Sequence, residues 1–237
     1  MAALLLLVCG NVTAQKNKSF SGTIKYSIRY EGDFDPQQLA NAPTENTETI
    51  MGNFTRTSIN IGIGYQHQID MVDSITILFD IPMEKMAYSV PASRIDESFK
   101  QVQIEINKRE DTKTICGYVC QGYDIVFTRN AEEEDEDEEE VKKTVLLVYT
   151  TEDIGIDEKI NHSSCPGLKG YPLYQEQQLD GNKKIITEAV EVKKKKVSEV
   201  EFMIPVNYNY YTPEAFKEHL RQLFGTSGSE DDEDDDI

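Results

Sequence analysis

The sequence predicts a mainly β (α+β) protein: a strongly curved antiparallel sheet or half-barrel with one amphipathic C-terminal helix and one short N-terminal helix. Two observations carry this. Apolar and polar residues alternate with a period of two through roughly eight or more short segments, and turn residues punctuate them about every eight to twelve positions. Only one segment, near the C-terminus, has the period of a helix. A two-sheet sandwich is the alternative architecture.

The first strand is "TIKYSIRY", with Ile24, Tyr26, Ile28 and Tyr30 on one face and Thr23, Lys25, Ser27 and Arg29 on the other. In "DFDPQQLANAPTEN" the Asp35 and Pro36 pair suits a helix start and Pro43 a stop, so a short helix or loop across the mouth of the sheet is expected. Alternation resumes through "SINIGIGYQHQIDMV", with Ile59, Ile61, Ile63 and Tyr65 in phase, while Gly62 and Gly64 allow bending or close backbone approach. Strands follow at "SITILFD", "KMAYSV" and "QVQIEIN". The segments "CQGYDIVF" and "VKKTVLLVYT" bracket an acidic run as the arms of a hairpin would. "NHSSCPGLKGYPL" is the longest irregular stretch, and a strand pair reads around the lysines of "KKIITEAVEVKKKKVSEVEFMI", ahead of "PVNYNYY". In "TPEAFKEHLRQLF", Thr212 suits the N-cap and Pro213 the first helical position. Phe216, Leu220, Leu223 and Phe224 form its apolar stripe.

The chain of 237 residues carries 43 acidic against 24 basic side chains, a formal net charge of -19, which excludes nucleic acid as a partner. Nine carboxylates lie in Glu132 to Glu140 and seven in Glu230 to Asp236; the rest is nearly neutral. Like charges repel and bury nothing, so these segments read as a loop tip and a tail. The opening "MAALLLLVCGNVTA" reads as a signal peptide cut near Ala14, too short to span a bilayer. A lipid anchor at Cys9 is the alternative, although Val8 departs from the small residue a lipobox places there. The expected organisation is a signal over 1–14, a single β-rich domain over 15–227 with a disordered acidic loop near 131–140, and a disordered acidic tail over 228–237. The mature protein is then periplasmic or secreted and does not span the membrane.

Cleavage leaves Cys116, Cys120 and Cys165, for which an oxidising compartment favours one disulfide and one free thiol, in any of three pairings. If "ICGYVC" is wholly extended, Cys116 and Cys120 stand about 13 Å apart, so bridging them needs a bend at Gly117.

The histidines are His67, His162 and His219. His219 is expected to face solvent and His67 reads as a surface residue. His162 and Cys165 have ligand-like spacing, yet the chain supplies few further zinc ligands, so no metal and no cofactor is implied. No nucleotide-binding, hydrolase-elbow or metalloprotease motif occurs, and no catalytic residue is assigned; the protein is read as a non-enzyme. The run Lys193 to Lys196 sits among Glu191, Glu199 and Glu201, which favours a lysine-guarded strand edge or hairpin over a membrane contact. Met71, Met83, Met86 and Met203 serve core packing or line an apolar ligand.

Several segments together resemble an exported bacterial family, domain of unknown function 4412, close to the GLPGLI family. They are "FSGTIKYSIRY", "TKTICGYVCQGYDI" from Thr112 to Ile125, "VYTTEDI" from Val148 to Ile154, "LKGYPLYQEQ" from Leu168 to Gln177 and "FMIPVNYNYYTPEAF" from Phe202 to Phe216. Cys120 matches the pattern and Cys116 departs from it, which leaves their pairing open. The resemblance implies a fold like the outer-membrane lipoprotein carriers, a curved sheet around helices with an apolar concavity, and no catalytic residues. The expected function is a periplasmic or secreted binding protein holding a lipid or acyl chain, lined by Ile24, Tyr26, Ile28, Ile61, Ile63, Met71, Phe216 and Leu220. A non-catalytic envelope protein acting through protein partners is the alternative.

Overall fold

Strand β1 (Ser21–Glu31) is buried at every second residue and hydrogen-bonded on both sides, as its period of two dictates. The computed structural model describes residues 19–93, 102–129, 142–155, 165, 167–179 and 181–224. The signal segment with Cys9, both acidic runs and His162 lie outside them. From β1 a meander runs one way through β2 (Glu45–Met51), β3 (Phe54–Asn60), β4 (Tyr65–Asp70), β5 (Ser74–Asp80) and β6 (Lys85–Pro91). A second meander comprises β7 (Val102–Ile115), β8 (Tyr118–Arg129), β9 (Lys142–Thr151), β10 (Tyr171–Gln178) and β11 (Lys184–Lys194), and β11 returns to pair with the free side of β1. A short β12 (Asn209–Tyr210) adds in parallel to β6. Among the described residues this makes one open, curved sheet of twelve strands in the order β12-β6-β5-β4-β3-β2-β1-β11-β10-β9-β8-β7, not a sandwich.

The curvature follows from chain length. Strands β6 and β7 stand ten strand positions apart, about 48 Å if the sheet were flat. The covalent link from Pro91 to Val102 reaches at most about 40 Å. The sheet must therefore curl.

The alternating segment that the sequence reads continuously from Ser58 to Val72 is two strands. Gly62 (φ 82°) and Gly64 (φ 156°) reverse the chain between β3 and β4, helped by the Asn60 side chain, whose Oδ1 accepts from Gly62 N–H at 2.8 Å. The helix expected after Asp35 is α1 (Pro36–Leu39), with the Asp35 carboxylate accepting from Gln37 N–H at 2.8 Å; none of its residues is buried. β8 and β9 pair out to Arg129 and Lys142, so the acidic run does connect hairpin arms.

The lysine run corrects the sequence reading. It ends β11, an interior strand between β1 and β10, so it guards no edge, and a 3-10 turn (Glu199–Phe202) follows in place of a second strand. The edge strand β7 instead carries Glu105, Lys108, Arg109, Glu110, Asp111 and Lys113, charges that oppose further strand addition.

The C-terminal segment wraps the β6 side of the sheet. Val197, Phe202 and Tyr208 pack on Ile69, Leu78 and Ala87, with Met51, Phe54 and Met71 alongside. Helix α2 (Pro213–Phe224) packs Phe216, Leu220 and Leu223 against Phe79, Met86 and Tyr88. Leu78 pairs with Ala87 and the next residue, Phe79, with Met86, so the two clusters cover opposite faces. Thr212 caps α2 as predicted, its Oγ1 accepting from Ala215 N–H at 3.2 Å.

His219 is only partly exposed, its side chain turned back toward the sheet. Its Nε2 lies 2.6 Å from a Glu84 carboxylate oxygen, and its ring stacks on Tyr211 at 5.0 Å. Glu84 also accepts from the Tyr211 hydroxyl and the Asn209 amide, each at 2.6 Å. Hydrogen bonds from Tyr211, His219 and Asn209 hold its carboxyl well below the usual range.

Truncating Phe216 to Ala removes the ring that holds α2 to the sheet and should cost about 3–5 kcal/mol in urea unfolding, whereas Ile63→Ala on its half-exposed turn should stay within about 0.5 kcal/mol.

Candidate functional site

The face of β1 that carries Ile24 and Tyr26, here termed the inner face, can be followed across the sheet by register. Tyr26 stands opposite Asn46, and Ile24 opposite Glu48. Asn46, Glu48 and Ile50 face Ile59, Thr57 and Thr55 on β3, which face Gln66, Gln68 and Asp70 on β4. Beyond these come Phe79, Ile77 and Ile75, then Met86, Tyr88 and Val90, where α2 docks. In the other direction the same face reaches Ile125, Val148, Tyr123 and Ile106, covered by Cys165 and Leu168. Two apolar ends thus flank a polar belt on β2–β4.

The belt is hydrogen-bonded in part. The Tyr26 hydroxyl donates to the Pro172 carbonyl at 2.9 Å and lies 3.3 Å from Glu48 Oε2. The Tyr171 hydroxyl donates to that same oxygen. Asp70, 4% exposed, accepts from the Thr55 hydroxyl at 3.0 Å and the Gln68 amide at 2.8 Å. Among the described residues, Asn46 Oδ1 is a buried acceptor with no hydrogen-bond partner.

Burial dominates the protonation of this group. Desolvation of the Glu48 carboxyl, partly offset by the Tyr171 and Tyr26 hydrogen bonds and reinforced by Asp70, raises its pKa to about 7. Burial, with Glu48 nearby, pushes both phenols well above their ordinary value.

The eight residues expected to line a ligand are distributed over the molecule. Ile24 and Tyr26 share one buried cluster with Ile50, Tyr171 and Leu173. Ile28 is buried on the same strand face. Ile61, Phe216 and Leu220 gather beneath α2. Met71 packs with Ile69 and Leu78 on the opposite face, because it continues the phase of Ile69 rather than that of Asp70. Ile63 is 50% exposed, since Gly62 and Gly64 place it on the reversal between β3 and β4. The sequence missed Asn46, Glu48 and Tyr171. The signal for the first two was the Thr-rich alternation of "ENTETI", in which polar rather than apolar side chains point inward.

Gly117 (φ 83°) does bend the chain, with Cys116 (φ 49°) beside it, and the two form the tight turn joining β7 to β8. Cys116 is a thiol donating to the Ala189 carbonyl at 3.2 Å, and Cys120 is a buried thiol 3.6 Å from the Tyr118 carbonyl. Cys165 is buried in a different cluster from Cys120. His67 contacts Ser58 Oγ at 2.8 Å, and desolvation together with nearby Arg56 lowers its pKa to about 4, so it is neutral at pH 7. Among the described residues no three His, Cys, Asp or Glu side chains gather as metal ligands, and no helix is long and apolar enough to cross a membrane. A cleft of about 240 Å³ with a mixed polar and apolar wall lies between Thr112, Val119, Gln121, Tyr123, Thr150 and Asp153.

The raised Glu48 pKa sets a pH dependence. The folded value of about 7 exceeds the ordinary 4.5, so the folded state binds the proton more tightly. The stability this group contributes is full below about pH 4.5 and is lost as pH rises through about 7, a change on the order of 3 kcal/mol. Glu48→Gln should flatten the unfolding free energy over that window, as chemical denaturation at a series of pH values would show.

No family model matches the chain and no curated protein matches it, so the likeness to the domain of unknown function 4412 and GLPGLI families rests on the quoted segments. Among solved structures, the crystal structure of LprF from Mycobacterium bovis aligns with 80% of this chain and 90% of that chain, at 10% identity and a TM-score of 0.33. A likeness of that degree carries no weight for ligand or activity; the register and contacts above define the site.

Proposed function

We propose that the protein is an exported, non-catalytic binding protein that holds an apolar group, a lipid or acyl chain, against the inner face of its sheet. The observation that carries this reading is the inner face itself: two apolar ends separated by a half-buried polar belt, in which the Asn46 Oδ1 atom is enclosed with no hydrogen-bond partner among the described residues. Chain burial drives binding at about 0.8 kcal/mol per methylene, less the cost of association.

A second reading, an envelope protein acting through protein partners, is favoured by one feature. Val200, Met203, Val206 and Tyr210, between 58% and 105% exposed, lie along the segment that wraps β6.

Organic extraction of the purified protein followed by mass spectrometry should recover copurified lipid, and long-chain lipids should displace a bound neutral naphthylamine dye. Absence of both removes the ligand reading. Under the partner reading, no lipid is recovered and Val206→Lys loses a specific envelope protein that cross-links to the wild type.

A further inference from the structure

Resting on the ligand reading above, the polar belt also specifies what the head of the apolar chain must be. We propose that Tyr26, Asn46, Glu48 and Tyr171 select an alkyl chain whose head donates hydrogen bonds and carries no negative charge, a primary amine in particular.

The hydrogen-bond inventory points this way. Each phenol has one hydrogen: that of Tyr171 is directed at Glu48, and that of Tyr26 is shared between the Pro172 carbonyl and Glu48. What the group offers a ligand is therefore acceptor capacity, namely Asn46 Oδ1 and the lone pairs of the Glu48 carboxyl. A head that brings N–H donors fills it. A carboxylate or phosphate head brings only acceptors.

Charge agrees. In the paired rows that cross β1 to β4 on this face, Tyr26–Asn46–Ile59–Gln66, Ile24–Glu48–Thr57–Gln68 and Gly22–Ile50–Thr55–Asp70, two side chains are acids and none is basic. Glu48 and Asp70 are close enough for Asp70 to raise the Glu48 pKa. An anionic head would add negative charge beside Asp70 and the Glu48 carboxyl, and an ammonium head would compensate what they carry.

The test uses three single-chain amphiphiles of equal length, so that the apolar contribution cancels: dodecylamine, dodecyltrimethylammonium and dodecanoate, each displacing the neutral dye from the full chain at about pH 7.5. Dodecylamine should displace at a concentration at least tenfold below either of the others, and Glu48→Gln and Asn46→Leu should each shrink that preference at least threefold while still binding the dye. The trimethylated cation carries the charge without N–H donors, so equal displacement by it would mean that bulk attraction to an acidic protein is responsible and would overturn the proposal. Dodecanoate displacing as well as dodecylamine would overturn it too, with the ligand reading left standing. If none of the three displaces the dye and no lipid is recovered, both fall.

Discussion

The ladder between β1 and β11 joins two meanders that otherwise have no strand pairing in common. Each meander alone would expose an apolar face and leave an interior strand as an edge; joined, they form one sheet whose centre is β1. A bulge between Lys25 and Tyr26 takes up one extra residue on β11, leaving Val190 exposed while Tyr26 stays opposite Ala189. That offset keeps both meanders in phase, so Ile24 and Tyr26 share a face with Ile77 on one side and Val148 on the other. The short link from β6 to β7 then bends the whole, and α2 finds an apolar surface to cover.

The middle of that face departs from a simple core. Ile24 and Ile50 are fully buried, yet a glutamate, an aspartate and an asparagine are interleaved with them. Such a set persists in a low-dielectric interior only when its members share protons and hydrogen bonds, as the two tyrosines do with Glu48 and as Thr55 and Gln68 do with Asp70. The outer shell of the molecule uses comparable chemistry for mechanical ends: Lys113 lies over Tyr149 and Tyr174, at 4.5 and 3.8 Å from their ring centroids, and clasps the far end of β7 to the sheet. Glu84 performs the equivalent task for α2.

What could be read from the sequence tracks how local the cause is. β1 and α2 were legible because a strand face and a helix stripe are written in consecutive residues, and Thr212 sits beside the helix it caps. β2 was not, because Asn46 and Glu48 occupy inward positions and the binary pattern assigns polar residues outward. The Gly62 and Gly64 reversal was visible as two glycines but not as a turn, since the alternation on either side kept its phase. His219 looked solvent-facing because its partner Glu84 is 135 residues away. A separation of 123 residues likewise hid Tyr171 from Glu48, and with it the belt.

β1 is among the first parts of the described chain to be synthesised, and its second neighbour is among the last strands. Gly22 must wait for Lys194 before that side of the strand is occupied. Until then an apolar, unpaired edge runs down the centre of the future sheet, and closing so long a loop makes this step slow. While the chain is being made, residues 21–31 are thus an unguarded template for mispairing, and only the arrival of β11 removes it.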